Sequence, residues 1–209
     1  MFKEQLVFFK EFIKNSKEIG SVIPSSKWAA EVISKGVRNA DKPCRILEVG
    51  AGTGPITRQL LKDMKEQDFL TVCEINPKLI DALKEKLAGN QYYEKHKERV
   101  QFEACSICDL PTQEKYDHII VALPFTNMSQ KEVEEIFDSV LSLSTGETQY
   151  SSYEYIGFRE FGQKFSSPQR RERLNEVQEF FDQVGHKYNL RTDSVILNFP
   201  PMSIRRMTL

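Results

Sequence analysis

The stretch ILEVGAGTG, residues 46–54, decides the fold. It continues a strand-like apolar run, RILEV (45–49), which carries an acid near its end, Glu48, and passes into alternating glycines, Gly50, Gly52 and Gly54. Glycine tolerates positive φ and lets a ligand approach the backbone closely. Residues 55–66 then read as a helix. A strand, a glycine turn and a helix form the ligand-binding corner of an α/β sheet, where ligands sit at the carboxyl ends of strands. The Gly-Lys-Ser/Thr ending of a P-loop is missing, which excludes nucleoside triphosphate hydrolysis of that type. The spacing is G-x-G-x-G, not the G-x-G-x-x-G of dinucleotide sites.

Outward from this corner the chain alternates. FLTVCEI (69–75), RVQFEA (99–104), YDHIIVALP (116–124) and ETQYSSYEYI (147–156) read as strands. Residues 77–88, 129–143 and 169–184 read as helices, the first opened by an Asn76 cap with Pro77 at the first helical position. The pattern predicts a doubly wound α/β, Rossmann-like sheet. YNLRTDSVILNFPP (188–201) and MSIRRMTL (202–209) close the chain with almost no helix between them, which predicts an antiparallel edge. An N-terminal helical extension, residues 1–40, precedes a catalytic domain over 41–209. Its first helix, 2–15, gathers Phe2, Leu6, Phe9, Phe12 and Ile13 in an arc of roughly 120°, bordered by Lys3, Lys10 and Lys14. KEIGSVIPSS (17–26) connects it to a second helix of about residues 26–38 with Trp28 in the first turn.

Forty per cent apolar and 28% charged residues describe an ordinary globular chain. No apolar run reaches transmembrane length, and lysines and glutamates interrupt the N-terminus where a signal peptide needs continuous apolar residues, so a cytoplasmic location is expected. Cys105 and Cys108 form a lone C-x-x-C without two further ligands at zinc spacing, so no metal is expected. Residues 1–45 carry nine Lys/Arg against five Asp/Glu, residues 46–158 eleven against nineteen, and residues 159–209 nine against six. An acidic middle between basic ends disfavours RNA as a partner and points away from DNA, while a membrane surface needs positive charge on one face only.

ILEVGAGTG resembles the first motif of class I methyltransferases, which bind S-adenosyl-L-methionine. The resemblance implies that Glu48, Gly50, Ala51, Gly52, Thr53 and Gly54 lie under the methionine part of that cofactor. Glu74, twenty residues after Gly54, would accept hydrogen bonds from the ribose hydroxyls, with Ile75 and Asn76 beside it. The family's adenine-contacting Asp is replaced in FEACSICDL by Ser106, with Ile107 next to it and Asp109 three residues on. A serine hydrogen-bonds the adenine amine more weakly than a carboxylate.

VALPF (121–125) ends the fourth strand. It resembles the acceptor motif of adenine-amine methylases, except that their Asn or Asp is replaced by Ala122; Leu123, Pro124 and Phe125 are kept. That loss argues against an rRNA adenine N6-dimethylase-like enzyme, the alternative reading. The chain is more similar to the bacterial phospholipid N-methyltransferases, the soluble class that methylates phosphatidylethanolamine. The likeness lies in the Phe-rich first helix followed by GSVIPSS, in ILEVGAGTGPITRQL, in the Leu-Pro motif without Asn, and in NFPP (198–201). It implies methyl transfer to the headgroup amine of phosphatidylethanolamine or a related aminolipid by a peripheral enzyme at the inner membrane face, attracted by anionic lipid. Gly20, Ser21 and Ser25 would form a lid over the cofactor. Leu123, Pro124, Phe125 and Tyr153 would surround the reacting amine, and Tyr150, Tyr155 and Arg159 the headgroup. Water or a tyrosine would take the amine proton, and aromatic rings suit a methylated ammonium. Arg159, Arg170, Arg171 and Arg205 are all candidates for a phosphate clamp. Phe2, Leu6, Phe9, Phe12 and Ile13 with Lys3, Lys10 and Lys14 would meet the lipid.

Overall fold

The computed structural model describes residues 27–156, 167–196 and 201–209. Seven strands among them form one sheet: β1 (Arg45–Val49), β2 (Phe69–Cys73), β3 (Val100–Glu103), β4 (Tyr116–Val121), β5 (Ser144–Tyr155), β6 (Arg191–Val195) and β7 (Met202–Thr208). Their order is β3-β2-β1-β4-β5-β7-β6. The first five strands run parallel, and β7 enters antiparallel between β5 and β6. The antiparallel edge expected from the closing segments is therefore present, with the last strand inserted inside the sixth.

Each central strand is apolar on both faces because helices cover both sides. One face carries α1 (Lys27–Ile33), α2 (Lys35–Arg38), α3 (Pro55–Asp63), α4 (Pro77–Leu87) and α5 (Gln91–His96), packed on Ile46, Leu70, Val72, Ile120 and Ile204. The other carries α6 (Gln130–Ser142) and α7 (Pro168–Lys187), packed on Leu47, Val49, Ile119, Val121 and Met207. None of the described helices is long and apolar enough to cross a membrane.

The caps follow the sequence. Asn76 accepts from the Lys78 amide ahead of Pro77, and Ser129 and Glu132 close a reciprocal capping box on α6. α5 was not foreseen; Asn90 caps it by accepting from the amides of Tyr92 and Tyr93. The second helix expected over 26–38 breaks at Ser34, whose hydroxyl donates to Asp63 Oδ2 at 2.7 Å and ties α1 to α3. Arg206 of β7 donates to the Val32 carbonyl and, at 3.2 Å, to Ser151 Oγ. Residues 27–38 are thus built into the main core. The first helix with its apolar and lysine residues, the lid residues Gly20, Ser21 and Ser25, and Arg159 lie outside the described residues.

The glycine turn is locked by packing. Gly54 caps α3 at φ +82°, and a Cβ there would stand 2.2 Å from Leu83 Cδ1. Leu83 is fully buried, so it cannot yield. Gly54→Ala is expected to cost about 2–4 kcal/mol from backbone strain and overpacking, read as a lower midpoint in urea unfolding.

Candidate active site

The site is a single row of residues. Cys73, Val49, Val121 and Ser152 are aligned across β2, β1, β4 and β5. One residue further, at the carboxyl edge, stand Glu74, Gly50, Ala122 and Tyr153. The ladder continues into this row: the Gly50 amide donates to the Cys73 carbonyl at 2.8 Å, Glu74 to Glu103 at 3.0 Å and Ala122 to Val49 at 2.8 Å. In parallel strands, residues at one level point to the same face. Four residues singled out from separate motifs are therefore neighbours.

Glu74 organises the cofactor side. Its Oε2 accepts from the Gly52 amide and its Oε1 from the Asn76 amide, both at 3.0 Å. Each carboxylate oxygen keeps further acceptor capacity for a ribose hydroxyl. Gly50 and Gly52 both have positive φ, but for different reasons. A Cβ on Gly50 would lie 2.7 Å from Leu123 Cδ2 and 3.0 Å from the Ala122 carbonyl, so packing demands glycine. A Cβ on Gly52 would meet only the Gly50 carbonyl at 4.0 Å. The open side of the turn is therefore at Gly52, above the Glu74 carboxylate, where a nucleoside cofactor fits. Thr53 is exposed and Ala51 buried beside it.

The adenine side is mixed. Ile75 is 71% exposed next to Glu74, an aliphatic surface available to a flat base. Ser106 accepts from the Cys108 amide at 3.2 Å, which leaves its hydroxyl proton free to donate. Ile107 packs into the core on the α6 face, so its side chain faces away from this surface.

Glu48 is fully buried two residues before Gly50, and neither of its oxygens has a hydrogen-bond partner among the described residues. Burial pushes its carboxyl up from 4.5 to about 7; the Thr57 hydroxyl and amide pull it back from too far for a full hydrogen bond, and Glu74 adds to the rise. Thr57, in the first turn of α3, is itself buried, and its hydroxyl has no hydrogen-bond partner among the described residues. It was not anticipated, though a threonine amid the apolar residues of PITRQLL was the available signal.

On the acceptor side, Ala122 and Tyr153 are each 7% exposed. Tyr153 and Tyr155 stand edge to face with centroids 5.8 Å apart, on the face of the sheet that carries α1. Burial, then the neighbouring Tyr153 hydroxyl, pushes the Tyr155 phenol well above its ordinary range, so it stays protonated at neutral pH. Tyr150 is on the opposite face, sealed against Phe137 with centroids 5.9 Å apart, away from the other two. Pro124 opens a 3-10 turn that carries Phe125 under the sheet edge, edge-on to Phe181 at 5.0 Å. Its ring is committed to that core contact. Arg205 pairs with Glu154 and lies over the Phe181 ring at 4.6 Å, so its charge is already matched.

Residues 46–145 match the model of a family described as a methyltransferase domain. An ornithine lipid N-methyltransferase from Singulisphaera acidiphila is 24% identical over 168 residues, covering 78% of this chain and 85% of that protein. Among solved structures, the glycopeptide N-methyltransferase MtfA complexed with sinefungin superposes with a TM-score of 0.67 at 9% identity, over 90% of this chain and 96% of that one. The magnesium protoporphyrin IX methyltransferase of Synechocystis PCC 6803, with bound S-adenosylmethionine, gives 0.60 at 14% identity over 87% and 79%. The sheet is that of the class I methyltransferases, and with the domain match the chain is an S-adenosylmethionine-dependent methyltransferase.

Two outcomes are expected. Glu74→Gln weakens S-adenosylmethionine binding about tenfold or more in calorimetry, from the loss of charge-assisted hydrogen bonds; unchanged affinity would show the ribose lies elsewhere. For Glu48, the folded pKa is raised, so the unfolded chain releases its proton first. Without cofactor, stability then falls between pH 4.5 and about 7 and levels off above, a loss of about 3 kcal/mol. Glu48→Gln should remove that slope in urea titrations across the interval.

Proposed function

We propose that the chain is an N-methyltransferase acting on the aliphatic headgroup amine of phosphatidylethanolamine or a related aminolipid. The observation that carries this reading is the acceptor edge: Ala122, with no side-chain acceptor, sits level with Tyr153 and next to the Tyr153–Tyr155 aromatic pair. A planar base amine would find no Asn or Asp there. A flexible, tetrahedral amine needs no such acceptor; it needs alignment and an aromatic wall. The relative named as an ornithine lipid N-methyltransferase acts on an amine of this kind by its name, and matches most of the chain.

When bound, S-adenosylmethionine supplies a sulfonium methyl that needs no acid to assist its release. The contribution of the protein is therefore placement. Gly50 and Gly52 keep the floor of the site low, Glu74 fixes the nucleoside end, and Ala122 and Leu123 exclude water behind the amine. The amine would accept that methyl only after its own proton has left, so the site must hold it neutral and aligned. Tyr155 holds its phenol proton at neutral pH, so it serves as a hydrogen-bonding wall while water carries the amine proton away. Access to lipid is assigned to residues 2–15, with Phe2, Phe9 and Phe12 against the bilayer and Lys3, Lys10 and Lys14 at anionic headgroups.

Incubation with radiolabelled S-adenosylmethionine and either phosphatidylethanolamine and ornithine lipid micelles or unmethylated ribosomal subunits tests the reading. Label in lipid is the expected result; label confined to RNA would replace it with the adenine-methylase alternative. Removal of residues 1–15 should abolish co-sedimentation with anionic vesicles and leave cofactor affinity intact.

A further inference from the structure

We infer that Arg170 and Arg173, one turn apart at the start of α7, form a subsite for the oxyanion of the aminolipid headgroup. This inference rests on the aminolipid reading and gives the substrate its second recognised group. Four arginines were open as anion clamps from the sequence. Arg205 is excluded by its Glu154 partner, Arg171 is exposed on the far side of the helix, and Arg159 lies outside the described residues.

Arg170 and Arg173 are different. Both are half-buried, and the Nε of each is shielded from water with no partner among the described residues. No ion pair to either occurs among those residues. They also repel each other: burial first, then the Arg173 charge, lowers the pKa of Arg170. Two partly desolvated like charges held together cost stability unless an anion joins them. Glu132 feels the Arg173 charge but makes no ion pair with it; its Oε2 accepts instead from the Ser129 amide and hydroxyl, both at 2.7 Å, in the capping box.

Their position suits a headgroup. Ser129 and Glu132 open α6 directly after the Leu123–Met128 loop that leaves the acceptor edge of β4. Arg173 therefore lies over the helix start that follows the methyl-acceptor motif. Arginine forks bind phosphate and carboxylate alike through paired N–H donors. Phosphatidylethanolamine offers a phosphodiester near its amine, and ornithine lipid a carboxylate; the shared chemistry is an oxyanion a few bonds from an aliphatic amine.

The test uses the full chain in uncharged detergent micelles, so that attraction to an anionic bilayer plays no part. Initial rates are measured for phosphatidylethanolamine, for ornithine lipid and for a long-chain primary amine that lacks an anion. In Arg170→Gln/Arg173→Gln, KM for the anion-bearing substrate is expected to rise about tenfold or more. The rate on the plain amine and the affinity for S-adenosylmethionine should stay near wild type, and the melting temperature should not fall and is expected to rise as the like-charge repulsion is removed. A rise larger for phosphatidylethanolamine identifies a phosphodiester, and one larger for ornithine lipid a carboxylate. Arg171→Gln serves as the control and should change nothing. Equal losses on all three amines, or unchanged KM for both lipids, would overturn the subsite while leaving the aminolipid reading in place. Failure of the wild-type protein to methylate either lipid would overturn both.

Discussion

The geometry of the site depends on a shortage of space at Gly50. Its amide is bound to the end of β2, and the end of β4 closes over its α-carbon so tightly that no Cβ fits. The turn is thus clamped between its two neighbouring strands rather than hanging free from β1. Glu74 then draws the next glycine amide down, and among the described residues the turn is open above Gly52. On the proposed reading, cofactor and acceptor then fall on opposite sides of one strand: the ribose acid on the β2 side, the methyl-accepting edge on the β4 and β5 side. A shift of the turn by even one ångström would separate them, because orientation supplies most of the rate in a displacement of this kind.

Much of this was legible in the chain because its causes are local. Strand and helix periods, the Asn76-Pro77 cap and the alternating glycines are each set within a few residues. Tyr153 and Tyr155 were correctly separated from Tyr150 because a strand alternates its faces. The features that escaped are the ones set by distant partners. β7 pairs with β5 as well as β6, and nothing in either segment says which strand lies inside. The sequence marks Phe125 as part of an acceptor motif, but Phe181, contributed by a helix 56 residues later in the chain, claims its ring. Arg205 resembles a free cation until β5 brings Glu154 beside it. Arg173 escaped for the converse reason: its meaning lies in the partners that it lacks among the described residues.

Buried carboxylates in this protein differ in how they are satisfied: Asp68, fully buried ahead of β2, accepts from the amides of Cys44 and Lys65. Among the described residues, by contrast, Glu48 is sealed without a hydrogen bond and the Arg170–Arg173 pair is half-sealed without a counter-ion. Such arrangements cost several kcal/mol and persist in folds when something other than stability holds them. A cationic cofactor on the Glu48 side and an anionic headgroup on the arginine side would each relieve one of these costs. Binding and folding are then linked, with the free protein less stable than the loaded one.

The acceptor edge itself is the opposite case, and its neutrality has a chemical reason. An aliphatic amine is protonated in water near neutral pH and attacks only after losing its proton. A carboxylate at position 122 would favour the ammonium form and raise the amine pKa, as an opposite charge within a few ångströms does. That would deplete the nucleophile at the place where it must react. On the aminolipid reading proposed above, Ala122 removes this trap. Glu154, the one acid on the outer half of β5, is disarmed by Arg205 on the other face of the sheet. What remains beside the amine is the Tyr153–Tyr155 wall, whose rings attract a cation more weakly than a carboxylate would. Such a wall tolerates the amine in both protonation states and still releases the methylated ammonium once it forms. The alanine that weakens a base-methylating reading is therefore the residue that an aliphatic amine requires.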